Sequence, residues 1–276
     1  MKLELLDSLF VDWEVQKFKN LESFELREWS QSKGIIFFDE LASTQKFVQG
    51  MDKASLFDLE EMLVLTPRQT KGHGRLDRSW YANPLSSLTF NYISSLPSGI
   101  LPGHLSLLTA WAQWKVFTGL YGIADVDLKW PNDVLIQSKK CSGSLMELIS
   151  YKGVQKLSLG LGVNVGKIDF PEELKGLSIS LADVMKDSLD RVQILHDVVM
   201  CFREGLKILN DPSWLLTDYT SASSFVKGAE LEFMEGEVLK RGLSAGLSSS
   251  GGLMILNEQG QKKEWHGSEI QKVRKG

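Results

Sequence analysis

The sequence predicts an α+β protein, a region of mixed strands and helices followed by a small β-barrel. Three stretches carry that reading. Residues 156 to 165 alternate strictly, with Leu157, Leu159, Leu161, Val163 and Val165 on one face and Ser158, Gly160, Gly162 and Asn164 on the other, the period of a strand. Further on, Leu195, Val198, Val199, Phe202, Leu206 and Leu209 return at helical spacing. From about Val226 short strands separated by glycines take over (Ala229 to Phe233, Gly252 to Leu256, Trp265 to Ile270), and a run of about fifty such residues predicts a small barrel.

Taken in order, residues 1 to 33 mix apolar and charged residues without a firm period, and read as an N-terminal extension too short to build a core unaided. GIIFFDE from Gly34 is a strand that leads into a helix, with Ser43 or Thr44 as N-cap. Met62 to Thr66 is a second strand and Leu88 to Ile93 a third, while Leu105 to Leu120 is a helix that turns Trp111 and Trp114 toward the core. The centre of the chain is Lys129 to Leu148. A strand runs up to Lys129 and Trp130, Pro131 stops the ladder, Asn132 and Asp133 turn the chain, and Val134 to Ile136 is the next strand. Alternation places Val126, Leu128 and Trp130 on one face and Asp127 and Lys129 on the other. Asp190 with Gln193 forms a capping box for the helix that ends at Asn210-Asp211-Pro212.

Composition narrows the function classes. At 276 residues, 43% hydrophobic and 24% charged, the chain has room for one sizeable core and a small second domain. A net charge of −4 argues against a nucleic-acid partner, since phosphate backbones are met by basic faces. Two cysteines without a CxxC and four scattered histidines give no zinc site or disulfide framework, so no protein-bound metal is expected and a reducing cytoplasm fits. The uncharged run from Tyr81 to Trp114 is broken by prolines, glycines and asparagines and cannot be one membrane-spanning helix. Glu4, Asp7 and Asp12 interrupt the N-terminus where a signal peptide needs an apolar stretch.

Two stretches carry chemistry. Gln69 to Trp80 (QTKGHGRLDRSW) joins glycines to cations after a strand. It lacks a third glycine and a following helical period, so a dinucleotide fingerprint is weak, and no P-loop occurs anywhere. A bound nucleotide's phosphates would be met by side-chain cations and glycine-freed backbone in a loop expected to be mobile without ligand. The second stretch is the face of Ser158, Gly160, Gly162 and Asn164. Glycines there weaken a sheet unless something approaches the backbone closely, and Asn164 can present an amide to a purine.

KWPND, a short apolar strand, and then K-x-x-G-x-L-x-E-L together resemble the central signature of biotin protein ligases, enzymes that adenylate biotin and attach it to a lysine. The likeness extends from roughly Gly34 to the C-terminus. It implies a class II synthetase-like mixed β-sheet catalytic domain with packed helices over 34–225 and an SH3-like C-terminal domain over 226–276, in the monofunctional type without an N-terminal DNA-binding domain. Ser43 and Thr44 match the family's S-T-N motif, with Gln45 in place of Asn. The loop resembles G-R-G-R-x-x-R-x-W, with His73 for the first Arg, and Gly267-Ser268-Glu269-Ile270 resembles the closing G-G-E-I. By this resemblance Ser43, Thr44, Gln69, Gly72, Arg75 and Lys140 hold biotin, while Arg75, Arg78, Trp80, Lys129, Asn132, Lys140, Gly162 and Asn164 hold ATP or the adenylate.

The implied reaction has two steps, with ATP and Mg²⁺ as partners of biotin. A biotin carboxylate oxygen attacks the α-phosphorus, with Lys140 bridging the two anions and Arg75 and Arg78 on phosphate oxygens. The acceptor lysine of a biotin carboxyl carrier domain then attacks the anhydride, with Asp133 orienting its ammonium and taking the proton. A homodimer is left open. Two rivals stand beside this reading: a lipoate or octanoate ligase-type enzyme, and a biotin-sensing regulator without catalysis.

Overall fold

The computed structural model describes residues 34–276 apart from positions 85, 187 and 188; the extension expected over 1–33 lies outside the described residues. The elements begin with β1 (Gly34–Phe37), α1 (Thr44–Gln49), α2 (Lys53–Asp58) and β2 (Glu61–Thr66). A short pair follows, β3 (Gly72–His73) and β4 (Ser79–Trp80), and then β5 (Ser87–Ser95) and α3 (Pro102–Lys115). The central strands are β6 (Val126–Lys129), β7 (Asp133–Ile136), β8 (Lys139–Tyr151) and β9 (Val154–Asn164). Two helices come next, α4 (Arg191–Lys207) and α5 (Ser213–Ser221), and the chain closes with β10 (Lys227–Glu235), β11 (Val238–Leu247), β12 (Leu253–Leu256), β13 (Lys262–Trp265) and β14 (Ile270–Lys275). The large sheet has the strand order β1-β2-β5-β9-β8-β7-β6, and the closing strands form a five-stranded sheet in the order β13-β12-β11-β10-β14.

Among the described residues the chain divides into two compact units, 34–97 with 145–168 and 189–195, and 98–144 with 169–186 and 196–276. In the first, β2 pairs parallel to β1 and antiparallel to β5, and β5 pairs antiparallel to β9. Five of the six β2 residues are buried, which is why its sequence reads as continuous apolar rather than alternating. Helices α1 and α2 close one face through Val48 and Leu56 against Met62, Val64 and Ile93. Ser43 caps α1 as expected, its hydroxyl accepting from the Lys46 amide at 3.4 Å. Lys156 is buried, its ammonium directed at the carbonyl oxygens of Leu59 and Glu60 just beyond α2.

In the second unit α3 begins at Pro102, three residues before the expected Leu105, because a first-turn residue needs no amide proton. A π-helical turn, Val116–Leu120, follows it. Trp111 and Trp114 are half-buried rather than core residues; Trp111 lies edge-on to Trp214 at 4.9 Å and donates to Asp218 Oδ2 at 3.2 Å. Asp190, in the first unit, caps α4 by accepting from the Val192 amide at 2.8 Å. In the closing sheet, the strand expected over Trp265 to Ile270 is instead a turn between β13 and β14. The Glu269 amide donates there to the His266 carbonyl at 2.9 Å. Glu232 on β10 joins that strand to both neighbours, taking Arg241 at 2.7 Å and Arg274 at 2.8 Å.

Candidate active-site residues

The central corner is a hairpin, β6 to β7, in which Lys129 pairs across the ladder with Asp133, and Asp133 pairs in turn with Gly143 on β8. Paired positions share a face, so these three residues form one row. Lys140 joins the row because of an irregularity. Val134 pairs with Ser142, and Leu135 then pairs with Lys140 instead of Cys141. That extra residue is a β-bulge, and it turns Lys140 onto the Asp133 face, where strict alternation would have put Cys141. The Lys140 Nζ lies 2.7 Å from Asp133 Oδ1. A Cβ at position 143 would stand 2.9 Å from that ammonium, so the glycine of the K-x-x-G string clears the space the lysine occupies. The Lys140 backbone is fixed on its other edge by Leu177 and Ile179, at 2.8 and 3.1 Å.

The rest of the corner is structural in its contacts. Trp130 is buried and donates its indole N–H to the Gly251 carbonyl at 3.1 Å. The Asn132 amide group donates to the Ser144 carbonyl, and the Ser144 amide returns a bond to the Asn132 carbonyl at 3.3 Å. Lys129 is half-buried with its ammonium 5.8 Å from the Phe225 ring centre. Cys141 is fully buried, which pushes its thiol far above the ordinary range and leaves it inert.

In the other unit Thr44 and Gln69 come together. The Thr44 amide and hydroxyl both donate to Gln69 Oε1, at 2.8 and 3.3 Å. Ser43 and Thr44 are buried and Gln69 is half-buried. The following segment forms a tight hairpin: Gly72 pairs with Trp80 and His73 with Ser79, and the Gly74 amide donates to the Arg78 carbonyl at 2.7 Å. Its glycine at 72 is required by close approach, since a Cβ there would lie 2.4 Å from the Trp80 carbonyl oxygen. Arg75 is half-buried, Arg78 is exposed, and Leu76 at the tip takes a left-handed φ of 55°. The His73 ring sits 3.2 Å from the Lys71 carbonyl.

The glycine-bearing face of β9 is as expected, but what approaches it is protein. A Cβ at Gly162 would stand 2.3 Å from the Trp80 indole, and one at Gly160 would stand 2.8 Å from Gln45 Oε1. Asn164 is buried at the end of the same face, opposite Ser87. Sequence reasoning marked Ser158 and Gly160 on this face and Gly143 within the K-x-x-G string, but it did not mark Asn91. Asn91 was the visible signal, a lone amide inside the apolar run of β5, where it is fully buried.

Comparison with known proteins bears on the family and the fold. Residues 40–164 match the description "Biotin/lipoate A/B protein ligase family". The bifunctional ligase/repressor BirA of Bacillus subtilis is 32% identical over 186 residues, 66% of this chain and 56% of the relative. The biotin–[acetyl-CoA-carboxylase] ligase of Mycobacterium tuberculosis is 32% identical over 146 residues, 51% of this chain and 52% of that protein. The chain thus spans a little over half the length of the curated relatives it matches. Among solved structures, the biotin protein ligase of Aquifex aeolicus in complex with biotin and ATP superposes with a TM-score of 0.75 at 30% identity, over 88% of this chain and 99% of that one.

Proposed function

The chain belongs to the biotin/lipoate A/B protein ligase family, and from that we propose that it is an ATP-dependent ligase that makes biotinyl-5′-AMP and transfers biotin to the acceptor lysine of a carboxyl carrier domain. The observation that carries the reading is the Lys140 ammonium held on Gly143 by Asp133, a positive charge placed by a bulge within the family's own signature.

In the first step two anions meet, and the proposal gives Lys140 the place between the biotin carboxylate and the α-phosphate. The carboxylate oxygen forms a bond to phosphorus as the bond to pyrophosphate breaks, and Lys140 and Arg75 offset the charge that accumulates. Arg78, Trp80, Lys129, Asn132, Gly162 and Asn164 are assigned to the nucleotide, and Ser43, Thr44, Gln69 and Gly72 to biotin. Asn132 contributes by fixing the corner, since its side-chain N–H group is engaged with Ser144. Mg²⁺ enters with the nucleotide as part of the substrate.

In the second step the acceptor amine attacks the acyl carbon and AMP leaves. An acceptor lysine with the ordinary pKa of about 10.4 arrives protonated, and Asp133 takes its proton once Lys140 has moved from Asp133 to the adenylate. One charge movement thereby serves both steps. The test is incubation of the protein with ATP, radiolabelled biotin or lipoate, and a carrier domain. Label on the carrier from biotin and not from lipoate is expected. Transfer of lipoate alone would replace this reading with the lipoate-ligase one, and biotin binding without pyrophosphate release would replace it with a sensor.

A further inference from the structure

The turn between β11 and β12, Ser248 to Gly252, is longer than a hairpin requires and is tied by bonds of its own. The Ser248 amide donates to the Gly252 carbonyl at 2.8 Å, and the Gly251 amide donates to the Ser248 carbonyl at 3.1 Å. Ser248 Oγ accepts from the Gly252 amide at 3.0 Å and donates to Glu264 Oε1 on β13 at 2.6 Å, and Ser250 Oγ donates to the same oxygen. The two hydroxyls hold the Glu264 carboxyl below its usual range, so it stays an acceptor at neutral pH. Gly251 takes a left-handed φ of 82°, which favours glycine.

A turn fixed in this way presents successive carbonyl oxygens to residues of the same unit. Ser249 accepts from the His104 ring at 2.7 Å, and Ser250 lies against Gly103, where a Cβ would overlap its oxygen. Gly251 accepts from the Trp130 indole N–H at 3.1 Å. His104 is 5% exposed in the first turn of α3, and since a carbonyl only accepts, its ring carries hydrogen on Nε2 there. The turn is thus clamped between the start of α3 and the Glu264 carboxylate, and it holds Trp130. That residue directly follows Lys129 at the end of β6 and precedes Asp133, which pairs with Lys129 and binds Lys140.

We propose that His104 is a positioning residue for the ligase reaction: it seats the 248–252 turn, the turn seats Trp130, and Trp130 sets the corner that carries Lys129 and Asp133. The proposal rests on the ligase reading above and adds to it a residue that touches no substrate. A reacting group displaced by about 1 Å loses about 10²-fold in rate although the change lies far from the chemistry. A buried imidazole serving the fold alone would leave the rate of the folded enzyme unaltered.

Steady-state pyrophosphate release from biotin and ATP by His104→Leu tests it, beside His104→Gln, whose amide can donate to the same carbonyl. His104→Leu is expected to lower kcat about 10- to 100-fold with KM for biotin and ATP within about threefold, and His104→Gln to recover most of the loss. Glu264→Leu loosens the turn from β13 with His104 in place. It should give the same pattern, it carries the test if His104→Leu does not fold, and the double variant should be no slower than the slower single one. The Trp130 indole proton, identified in protein with isotope-labelled tryptophan by its absence from Trp130→Phe, should exchange with solvent faster in both variants. Unchanged kcat in a folded but less stable variant overturns the proposal. So does slowed chemistry with indole exchange unchanged, or losses that multiply in the double variant. Wild-type protein that releases no pyrophosphate from biotin and ATP overturns the ligase reading instead, and indole exchange still reads whether His104 holds Trp130.

Discussion

Lys140 and Asp133 meet at 2.7 Å on one sheet face although they are not opposite each other in the ladder; Gly143 is opposite Asp133, and the bulge at Cys141 brings the lysine over it. The pair is partly exposed, at 36% and 21%, so its contribution to folding is small and its value lies in where it holds a charge. Lys140→Ala is expected to slow pyrophosphate release about 100- to 1000-fold while biotin affinity changes much less, because the place proposed for the ammonium is where charge develops. Asp133→Asn keeps the shape and removes the counter-charge. Both the first step and the transfer to carrier should slow in that variant; a defect in transfer alone would show that Asp133 does not position Lys140.

Gly162→Val meets the Trp80 indole before it meets any ligand, since even a Cβ would lie 2.3 Å from the ring. Overpacking of this kind costs about 1 to 3 kcal/mol. Trp80→Ala removes the overlap, so the double variant should be more stable than the sum of the single effects predicts. Urea unfolding of the four proteins measures the coupling, and strict additivity would mean that the ring lies elsewhere in solution.

Arg75→Gly should turn a retained intermediate into a leaked one. An acyl-adenylate reacts with any nearby lysine, and loss of one charge-assisted hydrogen bond, about 1 to 3 kcal/mol, corresponds to roughly 5- to 150-fold faster escape. The variant is expected to consume ATP and to label bystander proteins more than wild type does. Equal bystander labelling with unchanged adenylate release would remove Arg75 from the clamp.

Burial lowers the pKa of Lys156 below its ordinary 10.5, against the opposing pull of Glu60 and Glu61. Between the lowered value and 10.5 the unfolded chain binds a proton that the native chain does not, so this group makes stability rise with pH across that window. Lys156→Met should lose that rise. Denaturation midpoints of the two proteins from neutral pH to 10.5 give the comparison, and parallel profiles would show that the ammonium is not desolvated.

The fold was legible where one pattern governed a whole element. The alternation of Leu157 to Val165 became β9, and Ser43 and Asp190 both cap helices because a short oxygen-bearing side chain before an apolar period has few other uses. The closing sheet was read less well. The apolar residues of Trp265 to Ile270 flank a turn, and a turn between two strands leaves the same apolar markers at its ends as a single strand does. Of the site, the charged and glycine-rich strings were visible, and the geometry that makes them work was not. A bulge depends on hydrogen bonds between strands, so nothing in K-K-C-S-G announces that Lys140 shares a face with Gly143. Likewise, Gly160 and Gly162 announced a close approach without saying that Gln45 and Trp80 make it.

Gly72, Gly143, Gly160 and Gly162 each accept a neighbouring group at a distance that no β-carbon permits. For redesign this means that the strands have no remaining bulk to remove. A variant meant to accept a larger substrate cannot be obtained by trimming these four positions, and any substitution at them can only shrink the space. Enlargement has to come from the opposing groups, by shortening Gln45 or Trp80, and a selection for altered substrate size should therefore accumulate changes on α1 and at the 72–80 hairpin while the four glycines stay fixed.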